Sequence, residues 1–190
     1  MRVHRGLSTT QGCPRSRCGV HPNRLWVADI TYVPTWQGWL FLAAVVDAHT
    51  KVCVGWSMRD DLNPQIVVDA PGMAATRKRP APGCIHHSDQ GGQYRSLAFG
   101  RTLRESDVRQ SMSSRGDAYD NAAAESFMAT IKTEPIHRNS FKTRDEASLA
   151  VFSYIEGFYN PVRRHSSVGY LAPLEFEKMA LAVSTESEAV

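Results

Sequence analysis

Three carboxylates carry the chemistry this sequence can do. Asp29 stands inside the strand-like run LWVADITYV (25–33), where a charged side chain is poorly suited to a pleated, half-buried surface. Asp89 closes the run leading into HHSDQGGQY, and Glu125 follows in NAAAESF with 35 residues between the two. Converging carboxylates repel one another, and an all-oxygen cluster is stabilised by a hard divalent cation, Mg²⁺ or Mn²⁺. Two such ions, roughly 3.5 to 4 Å apart, activate a nucleophile and hold the leaving oxygen in phosphodiester chemistry. Each residue alone also has a plain reading: a strand aspartate as a turn or edge feature, a helix glutamate as a solvated charge.

The elements around these residues decide whether they meet. Three β-type runs, 25–33, 39–48 and 51–58, are separated by the turn-like Gln37-Gly38 and by His49-Thr50, which predicts an antiparallel meander. The second run is apolar almost throughout, as for a strand covered on both faces. Asn63-Pro64 starts a helix with Ile66, Val67, Ala70, Met73 and Ala74 on its apolar face. Gly83–His87 then reads as a strand reached by a crossover, parallel to the first, which places Asp29 and Asp89 side by side. A helix over 96–105, a strand over 108–112, a long helix over 118–132 and a last one over 144–159 complete an order βββαβαβα. The fold class is α/β: a five-stranded mixed sheet, three antiparallel strands and then parallel ones, flanked by helices.

Along the 118–132 helix, Asn121, Glu125, Met128, Ala129 and Lys132 share one face, while Ala123, Phe127 and Ile131 share the other and can pack on the sheet. The glutamate and the lysine therefore point the same way.

Net charge is only +3, so a nucleic-acid reading rests on where charges lie. The first 24 residues carry five arginines and no acid; Arg77–Arg79 and Arg163–His165 form two further basic clusters. Residues 1–23 read as a flexible basic arm, 24–178 as the folded core with its C-terminal helix, and 179–190 as a disordered tail. No run is long and apolar enough to span a membrane, and the start lacks a signal-peptide core, so the chain is expected in the cytoplasm. Cys53 and Cys84 lie in apolar runs as free thiols; Cys13 and Cys18, with His4 and His21, have only a loose zinc spacing.

Several other residues have two readings. His86 and His87 can approach the carboxylates or be structural. Gln93 and Tyr94 can line a DNA groove, Tyr94 by stacking, or pack at a helix start. Arg115 lies in the Ser114–Gly116 loop, well placed for a phosphate, and Asp120 and Asn121 suit a helix cap. Asn160, Arg163, Arg164 and His165 are candidates for DNA backbone contact or for anchoring the last helix. Asp47 is structural, and Trp26, Trp36, Trp39 and Trp56 are core or rim packing.

Four stretches together resemble a known family, the retroviral-integrase-like DDE transposases of bacterial insertion sequences, with an RNase H-like fold: WVADITYVPT, HHSDQGGQY, SRGDAYDNAAAESF and YNPVRRHSSVGYLAPLEFE, in that order and at that spacing. The similarity covers about residues 23 to 178. It implies that Asp29, Asp89 and Glu125 are the metal-binding triad, and that Lys132 contacts a DNA phosphate near the cut. It also implies DNA transposition: hydrolysis freeing a 3′-hydroxyl, then strand transfer by that hydroxyl, with DNA and further copies of the chain as partners, working on the nucleoid. Two prolines, Pro71 and Pro135, stand where that family carries an aliphatic residue. An interior Pro71 costs roughly 3 kcal/mol or more, and Pro135 is expected to end the catalytic helix early. Relatives of this kind have a helical DNA-binding region ahead of the core, where here there is only the basic arm. A catalytically impaired, truncated remnant that binds DNA, one part of a frameshifted product, or a metal-dependent nuclease without joining activity therefore stand as alternatives.

Overall fold

The structure is a computed structural model describing residues 21–112 and 122–187, with side chains to residue 183. Most of the basic arm, Cys13, Cys18, Ser114, Arg115, Gly116, Asp120 and Asn121 lie outside the described residues.

Alternating and apolar runs become β1 (Leu25–Thr35), β2 (Gly38–Asp47) and β3 (Cys53–Arg59), an antiparallel meander in which Asp29 faces Ala44 across β1 and β2. The crossover helix α1 (Gln65–Lys78) leads to β4 (Ile85–Ser88), which pairs parallel with β1. Helix α2 (Leu97–Glu105) returns the chain to β5 (Arg109–Met112), parallel to β4. The sheet order is β3-β2-β1-β4-β5, the expected mixed five-stranded sheet. Asn63 caps α1 as its type predicts: its side-chain oxygen accepts from the Gln65 N–H at 3.0 Å.

Helices cover both faces. Odd-numbered positions of β1 and even positions of β2, among them Val27, Val33, Leu40, Leu42, Ala44 and Val46, pack under α3 (Ala122–Ile131) and α4 (Arg144–Tyr154). The opposite parity, Trp26, Ala28, Ala43 and Val45, packs under α1 and α2. Along α3 the buried residues are Ala124, Phe127, Met128 and Ile131. The expected apolar face is thus corrected: Met128 is in the core, and Ala123 is only half-buried. Phe127 and Ile131 lie in the core as expected, and the apolar face is wider than those positions alone.

Helices α3 and α4 each run into a wide turn, Lys132–Ile136 and Ile155–Tyr159, closed by bonds from His137 N–H to the Lys132 carbonyl and from Asn160 N–H to the Ile155 carbonyl. Pro135 sits in the first of these, so α3 ends at Ile131, as an early stop requires. Pro71 is buried inside α1, which continues past it; with no N–H it leaves the Val67 carbonyl without its helical partner. At Gly55 of β3 the sheet lies close against the backbone of α1. A Cβ there would collide with the Ala70 carbonyl and lie 2.7 Å from the Ala74 nitrogen.

The expected disordered tail is corrected: α5 runs Pro173–Ser187, so helix continues well past residue 178. At the other end Asn23, assigned to the arm, is 8% exposed and donates its N–H to Asp47 Oδ2 at 2.7 Å. Asp47 also accepts from the His49 and Thr50 N–H groups and the Thr50 hydroxyl, confirming its structural role in the turn after β2. Cys53 and Cys84 are buried free thiols, as expected. No described helix is long and apolar enough to cross a membrane.

Candidate functional site

The parallel register of β1 and β4 builds the site. Trp26 faces His86 and Val27 faces His87, so continuing two residues brings Asp29 beside Asp89, one residue past the end of β4. Asp29 is half-buried and its Oδ1 accepts from the Ile30 N–H at 2.7 Å. Asp89 is exposed and its Oδ1 accepts from the Gly91 N–H at 3.0 Å. Glu125 lies exposed in the first turn of α3, and Lys132 follows at the start of the wide turn.

Electrostatics tie these four groups together. Burial pushes the Asp29 carboxyl above its ordinary value; the Ile30 N–H opposes this, the charges of Asp89 and Glu125 raise it further, and Lys132 lowers it. The Lys132 ammonium lies 5.5 Å from the centre of the Tyr32 ring. Among the described residues, no group of three acidic, histidine or cysteine side chains is arranged to hold a metal ion. The donor chemistry nevertheless suits a hard divalent cation: carboxylate oxygens only, around an Asp29 whose charge is disfavoured where it stands.

A cavity of about 230 Å³ opens beside the two aspartates. Ile30, Tyr32, Phe41 and Leu62 supply its apolar wall, and Thr31, Gly91, Gln93 and Tyr94 complete the lining. Sequence reasoning missed Tyr32, Phe41 and Leu62. The pairing of Tyr32 with Phe41 across β1 and β2 follows from the hairpin register and was the available signal.

Several candidates are placed elsewhere than a DNA surface. Tyr94 is 3% exposed and packs its ring on His86 and Phe99, so it has no free face on which a base could stack; its helix-start reading is the one that fits. Arg163 grips Glu134 through Nε and Nη2, the latter at 2.8 Å, and Tyr154 donates its hydroxyl to the same carboxylate. His165 lies against the Tyr159 ring, 5.0 Å between centres, and burial together with Arg163 pushes its imidazole down to about 4. At pH 7 it is neutral and offers a phosphate no charge. The Asn160 side chain accepts from Cys53 N–H and donates to the Cys53 carbonyl. For Arg163, His165 and Asn160 these contacts are those the anchoring reading expects. Arg164 is exposed and Gln93 half-buried at the cavity.

His86 is fully buried with both ring nitrogens lacking a hydrogen-bond partner among the described residues, and burial pushes it down to about 4. His87 is buried with Nδ1 3.1 Å from the Ser111 hydroxyl. Both side chains are buried, as the structural reading expects. In the second basic cluster, Arg77 pairs with Glu156 and Lys78 with Glu177, tying α1 to the C-terminal helices. Of the tryptophans, Trp26 is core, Trp56 is half-buried and donates to Glu156, while Trp36 and Trp39 stand exposed on the hairpin.

Two models described as integrase core domain match residues 19–118 and 106–173. The chain is 44% identical over 157 residues to the transposase for insertion sequence element IS904 of Lactococcus lactis, covering 83% of the chain and 62% of that protein. It is also 44% identical over 161 residues to the transposase InsF for insertion sequence IS3A of Escherichia coli K12, covering 85% and 56%. The chain thus spans about three fifths of the length of these relatives. Its fold is also that of the HTLV-2 integrase catalytic core domain, solved in complex with magnesium in a dimeric form. The match has a TM-score of 0.62 at 16% identity, covering 84% of this chain and 99% of that one.

Proposed function

The chain belongs to the integrase core domain family, and from that premise we propose that it is the catalytic core of a bacterial insertion-sequence transposase, breaking and rejoining DNA with Asp29, Asp89 and Glu125. The observation that carries this reading is the half-buried Asp29 carboxyl, raised by burial and then by the charges of Asp89, just past β4, and of Glu125, in the first turn of α3, with Lys132 opposing them. A carboxylate held in that position is stabilised by a cation far better than by water.

Asp29, Asp89 and Glu125 would hold the metal, Mg²⁺ or Mn²⁺, two ions in the working complex. When bound, the ions supply a more acidic nucleophile and neutralise charge on the leaving oxygen. Lys132 brings a fixed positive charge to the same rim, suited to a non-bridging phosphate oxygen. Gln93, at the cavity mouth, and the exposed Arg164 are proposed to contact the strand, with Arg115 and Asn121. The carboxylates are assigned hydrolysis that frees a 3′-hydroxyl, then attack by that hydroxyl on a second phosphodiester.

DNA is accordingly the partner, and joining two ends calls for at least two copies. Leu149, Phe152, Phe158 and Val162 stand exposed on and after α4, an apolar stretch suited to a subunit contact. The work is assigned to the cytoplasm, on the nucleoid.

Strand transfer is the test. Purified chain, Mg²⁺ or Mn²⁺, and a labelled duplex carrying an element end with a free 3′-hydroxyl are run beside Asp89→Asn and Glu125→Gln. Joined product that needs metal and falls on the order of 10³-fold in either variant supports the proposal. Cuts without joints would make the chain a nuclease; folded protein giving neither would make it an inactive remnant.

A further inference from the structure

A lysine left to itself beside three carboxylates is poorly placed to meet a phosphate. Its four-carbon stem is flexible, and an unheld ammonium closes on the nearest anion, where it takes the place of a divalent cation and is neutralised before any substrate arrives. Lys132 is held otherwise. It acts on Asp29 as a charge at a distance, whereas the Ile30 N–H bonds that carboxylate directly. Its ammonium stands 5.5 Å from the centre of the Tyr32 ring, within the range of a cation–π contact.

Both sides of this arrangement are fastened. On the strand side, Trp39 meets Tyr32 edge-on with ring centres 4.8 Å apart, and the Trp39 carbonyl accepts from Arg144 Nε at 3.1 Å, which joins the β1–β2 hairpin to the start of α4. On the helix side, Lys132 opens the wide turn Lys132–Ile136, and its carbonyl accepts from the His137 N–H at 2.8 Å. Glu134 comes two residues later, its carboxylate gripped by Arg163 through Nε and Nη2 and by the Tyr154 hydroxyl. Pro135 follows with its φ fixed by the ring, and its carbonyl accepts from the Asn139 amide at 2.7 Å. Helix ends ordinarily fray; the end of α3 is instead tied through Glu134 to side chains 20 and 29 positions further along the chain.

Resting on the DNA reading above, we propose that Tyr32 and the Glu134–Arg163 pair are positioning residues for Lys132. The ring sets where the ammonium stands, and the ion pair sets the backbone from which it reaches. The charge is thereby kept for a phosphate beside the carboxylates and does not close on them.

The full chain labelled with ¹³C at lysine Cε tests this, first without DNA. A methylene held over an aromatic ring gives a proton signal displaced upfield. Lys132 over Tyr32 and Lys142, whose ammonium is 5.9 Å from the centre of the Trp36 ring, should therefore stand apart from the other lysines. Lys132→Arg and Lys142→Arg identify the two signals. Tyr32→Leu should return the Lys132 signal to the others, Tyr32→Phe should keep it displaced, and Arg163→Ala should draw it part of the way back. Tyr32 is 52% exposed, and an unmoved Lys142 signal in each variant shows that the fold is intact. The second readout is joined product from an element end with a free 3′-hydroxyl, in Mg²⁺. Tyr32→Leu should lower its rate roughly five-fold and Lys132→Ala about 10²-fold. In the Lys132→Ala chain, Tyr32→Leu should lower it no further, because its effect passes through the lysine. Losses that multiply, or a Lys132 signal that Tyr32→Leu and Arg163→Ala leave in place, would overturn the inference and leave the DNA reading standing. Displaced signals without joined product from the wild-type chain would remove both.

Discussion

Replacing Arg163 by alanine separates an anchor from a DNA contact. The guanidinium meets Glu134 through Nε at 2.9 and 3.1 Å and through Nη2 at 2.8 Å, and the Tyr154 hydroxyl shares that carboxylate. The two side chains are 25% and 26% exposed. The pair is therefore worth more than a surface ion pair at about 0 to 1 kcal/mol, and less than the 3 to 5 kcal/mol lost when a fully buried pair is broken. About 2 kcal/mol is the expected cost, which lowers Tm by roughly 4 to 8 °C in a domain of this size. Thermal unfolding of Arg163→Ala, Glu134→Gln and the double variant measures it. The double variant should be little worse than either single one, with a coupling of about 1 to 2 kcal/mol. The Arg163 hydrogen bonds hold the Glu134 carboxyl below its ordinary value. Its contribution is full above the unfolded value of about 4.3 and is lost as pH falls through the lower folded value, so wild type and Arg163→Ala should converge in acid. An unchanged Tm, with DNA affinity weakened and its salt dependence reduced by about one phosphate contact, would refute the anchoring argument and restore Arg163 to the DNA surface.

Gly55→Ala should be among the most damaging small substitutions. The new methyl meets the Ala70 carbonyl and the backbone and Cβ of Ala74 at 2.7 and 2.9 Å, so the cost belongs at the upper end of the roughly 1 to 3 kcal/mol for overpacking, a Tm drop of about 6 to 12 °C; an unchanged Tm would mean that α1 moves away freely. His86→Phe should flatten the acid side of the stability curve. Because the buried imidazole is pushed down to about 4, the unfolded chain binds its proton more readily below an unfolded value of about 6.5. Stability is then lost as pH falls from there towards 4, and chemical denaturation at stepped pH should show the slope reduced in the variant; an identical slope would clear His86 of that role.

The sheet was legible in the sequence because its signals are local: alternation in 25–33, a continuous apolar run in 39–48, and two-residue turns. Once a crossover makes β4 parallel to β1, the pairing of Asp29 with Asp89 is a matter of counting. Side-chain partners distant in the chain were not legible. Glu134 and Arg163 meet only because two helices each end in a wide turn, and no spacing rule announces that. The sequence leaves Tyr94 between a groove and a helix-start position because a tyrosine two residues past a glycine pair carries no mark of which way its ring turns; His86 and Phe99 decide its packing. Met128 shows the limit of a helical wheel, which gives the period of the apolar face but not its width. The cavity escaped notice because Leu62 comes from the loop before α1, beyond any periodic pattern.

Strand β1 has 11 residues, and β4 pairs with only its first three. Beyond Val27 the β4 side of β1 opens onto the carboxylates rather than continuing the ladder. A bare strand margin is a template on which another chain can add itself, and natural proteins spoil such margins with charge and proline. Asp29 and Pro34 stand in this stretch and Thr35 at its end pairs with Phe141, so the charge of the residue assigned to hold a cation also helps to blunt the strand margin. Neutralising Asp29 therefore removes two properties at once, and a silent Asp29→Asn preparation must be shown free of aggregates before its silence is read as chemistry. Asp89 and Glu125, which lie off the strand, are the cleaner places to ask that question.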